Sequence, residues 1–219
     1  DFKIGGPSTA RGEWIQDFIN YADRERLAID YMIGHCYNND SASGAALSPF
    51  EGPQRDKENN SPNFLKGVIK GIRKIMEDAG FKGEFHMNEW GPSWYPSRRE
   101  RETPNEAAFI VKTMNEVSQV ADYYAFWCMS DIYNQLGYGT AEFHGHYGML
   151  TFNGLRKQSY HAHQLLNKMG SEQLTLKSTP DDQSSAMVTR SDEGVQVLVY
   201  NAKADYRYGD ALPVKTVEI

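Results

Sequence analysis

Apolar and polar residues alternate in a repeating order from the start of the chain to about residue 170. Short runs rich in β-branched and aromatic residues are each followed by a longer stretch whose apolar positions recur with the period of a helix. This order predicts four βα units and a parallel sheet. The predicted strands cover residues 2–5, 29–35, 84–89 and 123–128, and the predicted helices cover residues 13–22, 61–80, 103–117 and 157–169.

Two of these helices carry recognisable start signals. Ser61 is a predicted N-cap, Pro62 occupies the first turn, and Gly80 ends the helix after a run of apolar residues along one side. The segment from Thr103 to Glu106 has the spacing of a capping box with a proline at the first helical position. Both signals predict where a helix begins.

The links that follow the later strands are long, covering residues 37–61, 90–103 and 129–156. Long connections without regular structure are uncommon unless they are functional, and in βα folds the loops at the carboxyl ends of the strands build the active site. We therefore expect the chemistry at this edge of the sheet. Four units are half the number in a closed (β/α)8 barrel, so the pattern allows either an open sheet or half a barrel.

After about residue 170 the pattern changes to short alternating strands separated by turn residues. The predicted strands cover residues 172–177, 186–190, 195–201 and 214–219. This pattern is typical of the beginning of an antiparallel β-sandwich. We therefore expect an α/β domain over residues 1–170 and part of an accessory β-domain over residues 171–219.

Four residues near the ends of predicted strands are candidates for chemistry. Glu89 ends the third strand, where the period of two places it on one face with Phe85 and Met87. His35 and Tyr37 lie together at the end of the second strand, and Trp127 lies at the end of the fourth. Taken singly, Glu89 and Trp127 are more often structural than functional, and for His35 and Tyr37 the two roles have about even odds. Together, a carboxylate, a polar pair and an aromatic platform favour a sugar-binding site.

Composition excludes several other functions. The chain has 219 residues, 40% of them hydrophobic, and a formal net charge of -6, which disfavours nucleic acids and anionic membranes as partners. It contains no run of about 20 apolar residues. Its two cysteines, Cys36 and Cys128, predict neither a disulfide framework nor a cysteine-based metal site. No cofactor is expected, and a secreted or periplasmic location is slightly favoured over a cytoplasmic one.

Several segments together resemble the family 39 glycoside hydrolases, which contain β-xylosidases and α-L-iduronidases. The resemblance extends over most of residues 1–200. The segments that carry it are Lys3-Ile4-Gly5-Gly6-Pro7, His35-Cys36-Tyr37, Asn88-Glu89-Trp90, Phe126-Trp127-Cys128-Met129-Ser130-Asp131, Phe143-His144-Gly145-His146-Tyr147-Gly148-Met149-Leu150 and the stretch 159–170.

The resemblance implies a fold and a set of roles. The chain would supply strands five to eight of a (β/α)8 barrel, with Glu89 as the nucleophile of a retaining glycosidase. His35 and Tyr37 would hold the nucleophile and the sugar, and Trp127 would form the floor of the −1 subsite. The further substrate-binding residues that it implies are Phe143 and His144 at the rim and Asn88 and Trp90 beside Glu89.

A retaining glycosidase needs a second carboxyl group about 5 to 5.5 Å from the nucleophile. In the family this general acid/base is a glutamate in an Asn-Glu-Pro segment of strand four, and these 219 residues contain no such segment. Glu13, Asp131 and Glu142 are poor substitutes by position. We therefore expect a companion segment or oligomer to complete the barrel, and weak hydrolysis by the isolated chain.

The sugar specificity is left partly open. Xylosides are the leading substrate class, while another β-glycoside or a uronide stays an alternative. The xylosidases that the chain resembles tend to have acidic residues where this sequence has the amides Asn134 and Gln135. This difference predicts altered contacts with the sugar hydroxyls.

The sequence offers three other functions. A metal enzyme would use His144 with His146, whereas His161 and His163 lie two apart on a helix and point in different directions. No metal is expected, because no cluster of further ligands accompanies these pairs. A non-catalytic or degenerate carbohydrate-binding fragment is the second alternative. The mixed-charge runs at residues 55–58 and 98–102 are interpreted as solvated loop surface rather than as recognition patches.

Overall fold

The computed structural model describes residues 2–40, 63–132, 141–177, 183–203, 209–211 and 214–216. The chain forms two compact units. The first unit contains Asp1–Trp94 and Glu116–Trp127, and the second contains Tyr95–Asn115 and Cys128–Ile219. Each unit is described by itself.

The first unit is a parallel sheet with helices between its strands. Its strands are hydrogen-bonded in the order β1-β2-β3-β4, and all three neighbouring pairs are parallel. The predicted alternation of strands and helices is therefore confirmed. The elements are β1 (Gly5–Ala10), α1 (Ile15–Glu25), β2 (Tyr31–Tyr37), α2 (Phe64–Asp78), β3 (Glu84–Gly91) and β4 (Tyr123–Phe126).

The first strand begins later than predicted. Phe2 and Ile4, which suggested a strand at residues 2–5, are 98% and 61% exposed. Pairing with β2 starts only at Gly5, opposite Tyr31. The strand itself reads Gly-Gly-Pro-Ser-Thr-Ala, so it has no alternation of apolar and polar residues that a sequence pattern could detect.

Helix α2 supplies the apolar layer against the sheet, on the side that the helical period predicted. Six of its apolar side chains are at most 2% exposed: Phe64, Leu65, Val68, Ile69, Ile72 and Met76. Burying each contributes roughly 1.5–3 kcal/mol. The helix starts after Asn63, and the predicted N-cap Ser61 lies outside the described residues. Gly80 follows the helix with a φ of 71°, the left-handed conformation that ends many helices.

Helix α3 (Pro104–Val117) begins where the sequence predicted. The Thr103 hydroxyl donates to the carbonyl of Glu100 at 2.6 Å. The N–H of Glu106 donates to the Thr103 carbonyl, and the Glu106 side chain is buried. The turn is therefore closed by backbone bonds and by the preceding 3₁₀ helix Arg99–Glu102.

The second unit contains helix α4 (Gln158–Leu166) and a small antiparallel sheet. The sheet has the order β5-β6-β7, formed by Glu172–Gln173, Ser184–Ser191 and Gly194–Asn201. Three of the four predicted late strands are thus present, the first much shortened. Residues 214–216 form no strand, and residues 217–219 lie outside the described part of the chain.

Within the described residues, no helix is long and apolar enough to cross a membrane. Cys36 and Cys128 are free thiols, the first buried and the second half-buried. Burial raises the pKa of the Cys36 thiol well above its ordinary value.

Candidate active site

Glu89 and Tyr37 meet at the carboxyl edge of the parallel sheet. The Tyr37 hydroxyl donates a hydrogen bond of 2.5 Å to Oε1 of Glu89. Tyr37 is 5% exposed, whereas Glu89 is half-buried. A carboxylate that is held by one donor on the protein side and still reached by solvent is free to react with a bound molecule.

A bulge in β3 corrects the predicted orientation of Glu89. Met87 pairs with Gly34 and Glu89 pairs with His35. Asn88, which lies between Met87 and Glu89, therefore has no partner residue on β2. Phe85 and Met87 are fully buried, and the Arg73 guanidinium from α2 lies 5.5 Å from the Phe85 ring. They therefore face the helices.

Glu89 lies on the opposite face, because the extra residue Asn88 shifts by one residue the alternation of side chains between the two faces of the strand. That face carries the ring of His86 further down β3. This ring stacks on Tyr31 of β2 at 4.4 Å and meets the edge of Tyr123 of β4 at 4.6 Å. Glu89 thus continues a polar and aromatic row, and it does not share a face with Phe85 and Met87 as the sequence suggested.

Tyr37 is fixed from two directions. Its backbone N–H donates to Oδ2 of Asp40 at 2.7 Å. Asp40 is 7% exposed, and burial raises the pKa of its carboxyl group, an effect that the nearby Arg11 charge opposes. The Tyr37 ring packs on the backbone of Gly91, where an added Cβ would lie 3.3 Å from the ring. Glycine at this position therefore allows the ring to approach the neighbouring strand.

His35 and Asn88 lie on the two strands that carry this pair. His35 is half-buried, and its Nδ1 atom is buried without a hydrogen-bond partner among the described residues. Asn88 is exposed, and its amide donates to Oγ of Ser8 at 2.8 Å. Ser8 is a polar residue of this edge that the sequence interpretation missed, because nothing in the strand pattern singles it out.

The two tryptophans differ in environment. Trp90 is 1% exposed and meets the rings of Phe126 and Tyr124 edge to face at 5.3 and 6.5 Å. It is a core residue, and its contact with the sugar stays a prediction. Trp127 is half-buried, and its backbone N–H donates to the Trp90 carbonyl at 3.1 Å. It follows directly after β4, which ends at Phe126, two residues before the end of the predicted strand.

Phe143 and His144 belong to the second unit. Phe143 is 43% exposed and has a φ of 54°. Nδ1 of His144 lies 2.7 Å from the Ala141 carbonyl, which makes Nδ1 the protonated nitrogen and leaves Nε2 as an acceptor. Nε2 is buried without a hydrogen-bond partner among the described residues. Their place in a sugar site stays a prediction.

The second unit contains a buried group of charges that the sequence interpretation missed. Lys157 is 1% exposed, and its Nζ lies 2.7 Å from Oδ2 of Asp131 and 3.0 Å from Oε1 of Glu102. Arg101, 3% exposed, lies over the ring of Tyr147 at 4.4 Å. The interpretation of residues 98–102 as solvated surface is therefore wrong for Arg101 and Glu102. The run at residues 55–58 lies outside the described residues.

The histidine pairs show no metal-binding arrangement. The rings of His144 and His146 are 4.0 Å apart, and on α4 the Nδ1 atom of His163 lies 2.8 Å from the carbonyl of Ser159. Among the residues that the structure describes, no group of three or more His, Cys, Asp or Glu side chains is placed to hold a metal ion. Asn134 and Gln135, the predicted specificity residues, lie outside this part of the chain.

Comparison with known proteins identifies the family. The model of glycosyl hydrolases family 39 matches residues 1–204. A β-xylosidase of Caldicellulosiruptor saccharolyticus is 28% identical over 178 residues, which are 81% of this chain and 35% of that protein. A β-xylosidase of Geobacillus stearothermophilus is 24% identical, over 91% of this chain and 38% of that protein. The chain thus spans little more than a third of the length of these relatives.

Solved structures show the same fold. A monomeric β-xylosidase from Caulobacter crescentus matches with a TM-score of 0.70 and 25% identity, over 86% of this chain and 37% of that one. The GH39 enzyme from Xanthomonas axonopodis pv. citri matches with a TM-score of 0.76 and 21% identity, over 94% and 39% of the two chains. On the family match and these relatives, the chain belongs to glycosyl hydrolase family 39.

Proposed function

We propose that this chain carries the nucleophile of a retaining glycosidase, with Glu89 attacking the anomeric carbon of a β-xyloside. The observation that supports it most is the hydrogen bond from the Tyr37 hydroxyl to Oε1 of Glu89 at the carboxyl edge of the sheet. In βα folds this edge carries the reacting groups. Membership of family 39 and two β-xylosidase relatives support the reaction type and the substrate class.

In the proposed reaction, the Glu89 carboxylate forms an ester bond with the anomeric carbon while the bond to the leaving oxygen breaks. The leaving oxygen takes the electron pair and a proton from a general acid, and water then hydrolyses the ester. Tyr37 would hold one carboxylate oxygen so that the other faces the sugar. The roles proposed for His35 and Trp127 are contacts with the sugar, and those for Phe143 and His144 lie at its rim.

The proposed function includes a division of the chain between a barrel and an accessory domain. Residues 1–170 would supply strands five to eight of the barrel, and residues 171–219 would begin an accessory β-domain. The general acid/base would come from a companion segment of the barrel. Under this arrangement a substrate with a poor leaving group needs that segment, whereas one with a good leaving group needs only Glu89, because a stable leaving anion departs without a proton.

This difference gives the test. 2,4-Dinitrophenyl 2-deoxy-2-fluoro-β-xyloside has a leaving group that departs unprotonated, and its fluorine slows hydrolysis of the ester that forms. We expect the 219-residue chain to gain the mass of one fluoroxylosyl group, located on Glu89 by peptide mapping. We expect Glu89→Gln to remain unlabelled, and Glu77→Gln, the same change on an exposed residue of α2, to label at the original rate.

Two outcomes would contradict the proposal. Labelling of another carboxylate would move the nucleophile away from Glu89. Binding of the reagent without any covalent mass would favour a non-catalytic carbohydrate-binding fragment. A separate comparison concerns the general acid: rapid cleavage of methyl β-xyloside by the isolated chain would show that these 219 residues supply their own acid.

A further inference from the structure

Two of the parallel strands each contain one residue that their neighbour does not match. The extra residue is Ser8 in β1 and Asn88 in β3, and both fall beside Gly34 of β2. Bulges are rare between parallel strands and tend to occur next to active sites, where they change the direction of a side chain. Two bulges on either side of one residue therefore call for a physical explanation.

A hydrogen bond connects the two extra residues across the strand that separates them. The Asn88 amide donates to Oγ of Ser8 at 2.8 Å. Ser8 has a φ of 60°, in the left-handed region that residues with a Cβ rarely adopt. Such a conformation persists where surrounding contacts hold it, and the bond to Asn88 is such a contact.

The bulge at Asn88 determines which face of the sheet carries Glu89. Without an extra residue, the period of two would place Glu89 with Phe85 and Met87, toward the helices. With it, Asn88 and Glu89 lie on the opposite face in succession, and the Glu89 carboxylate reaches the Tyr37 hydroxyl. The sequence pattern gave the wrong face for this reason.

We infer that Ser8 and Asn88 form a positioning pair, which holds the bulge of β3 and thereby directs the carboxylate of Glu89 toward Tyr37. This inference rests on the proposed role of Glu89 as nucleophile. It assigns a function to Ser8, and it changes the role of Asn88 from contact with the sugar to orientation of its neighbour. The exposed amide of Asn88 donates one of its N–H groups to Ser8.

The two roles of Asn88 predict different kinetics with the dinitrophenyl fluoroxyloside. A positioning residue lowers the maximal rate of labelling and leaves the half-saturating reagent concentration unchanged, whereas a sugar ligand raises that concentration. We expect Ser8→Ala and Asn88→Ala each to lower the maximal rate by about tenfold to a hundredfold. The double variant should be no slower than the slower single variant, because both changes break one bond.

Two matched variants separate the hydrogen bond from other effects. Ser8→Gly removes the hydroxyl but tolerates the left-handed conformation, so we expect it to fold and to label as slowly as Ser8→Ala. Asn20→Ala removes an amide from the exposed surface of α1 and should label at the original rate. Normal labelling of Ser8→Gly, or an Asn88→Ala variant altered only in half-saturation, would overturn the inference.

Crystal structures of Ser8→Gly and Asn88→Ala test the positioning role without a measurement of labelling. The distance from the Tyr37 hydroxyl to Oε1 of Glu89, 2.5 Å in the native chain, should exceed about 3.5 Å in both variants. An unchanged distance in both would overturn the positioning role. If the native chain is not labelled but the distance still lengthens, the nucleophile proposal fails and the positioning pair stands.

Discussion

The two units of this chain hold their carboxylates in opposite ways. In the first unit, Glu89 is half-buried at a sheet edge and receives a neutral donor, the Tyr37 hydroxyl. In the second unit, Asp131 and Glu102 surround a Lys157 that is 1% exposed. A carboxylate paired with a buried cation has its charge neutralised by the protein. A carboxylate whose hydrogen-bond donor is neutral is not neutralised by that donor, so its negative charge is available for a reaction.

The two groups of side chains should differ in whether they affect stability or reaction. Backbone N–H groups complete the buried charge group, since Gly145 donates to Glu102 at 2.8 Å and Gly148 donates to Asp131 at 2.7 Å. These bonds anchor the chain that follows β4. Changes in this group should therefore alter the stability of the second unit, and changes around Glu89 should alter the rate of reaction.

The largest expected effect is on the stability of the second unit. Lys157→Met leaves Asp131 and Glu102 buried without their cation, which typically costs about 3–5 kcal/mol. All four tryptophans lie in the first unit, so fluorescence does not report on the second. Amide hydrogen exchange of peptides from residues 141–177 should measure this loss as a lower free energy of opening.

The matched control for that change is Lys74→Met. Lys74 pairs with Asp78 at 2.8 Å on α2, where the two side chains are 51% and 61% exposed. Such a surface pair contributes at most about 0.5 kcal/mol. Urea unfolding followed by tryptophan fluorescence should therefore change little. Equal losses at Lys157 and Lys74 would contradict the contrast between buried and exposed pairs.

The next effect is a pH dependence of the second unit. Burial raises the pKa of Glu106 to about 7, although the charges of Arg101 and Lys157 oppose this shift. The carboxyl group is therefore mostly neutral in the folded state below about pH 7, whereas in the unfolded state it ionises above about pH 4.5. Stability should fall by about 3 kcal/mol between pH 4.5 and 7, because a raised carboxyl pKa penalises the folded state as pH rises.

Glu106→Gln should remove most of this fall, since the amide does not ionise. Glu193→Gln, on an exposed turn residue of the same unit, should keep it. Hydrogen exchange corrected for its intrinsic pH dependence measures both. If the stability of Glu106→Gln still falls as pH rises, another group causes the pH dependence.

The smallest effect is confined to the rate of reaction. Tyr37→Phe removes the donor to Glu89, and a hydrogen bond to a charged group contributes about 1.5–3 kcal/mol. Labelling by the dinitrophenyl fluoroxyloside should slow by about tenfold to a hundredfold. Tyr21→Phe, which changes a half-exposed ring on α1, is the matched control. Labelling of Tyr37→Phe at the original rate would show that the hydroxyl does not orient the nucleophile.

The sequence predicted those parts of the fold that depend on local periodicity. The apolar side of α2 and the alternation of strands and helices follow from side-chain spacing alone. The same argument brought Glu89 and Tyr37 to one edge, because parallel strands end together. The bulge at Asn88 could not be predicted, since a register shift becomes visible only when the partner strand is known.

The buried charges were missed for a similar reason. Lys157, Asp131 and Glu102 are separated by 26 and 29 residues along the chain, so no local motif connects them. Lys157 follows Arg156, and Glu102 ends a mixed-charge run, so both have the local composition of exposed surface. Only the tertiary structure distinguishes Lys157, in a buried ion pair, from Lys74, on the exposed side of α2.

The most direct test of Glu89 as nucleophile is the configuration of an azide product. In Glu89→Ala, azide can enter the space of the missing carboxylate and attack the anomeric carbon of 2,4-dinitrophenyl β-xyloside, with release of dinitrophenolate. This single displacement inverts the centre, so the account predicts α-xylosyl azide. Formation of β-xylosyl azide, or unchanged hydrolysis without azide, would contradict the assignment of Glu89 as nucleophile.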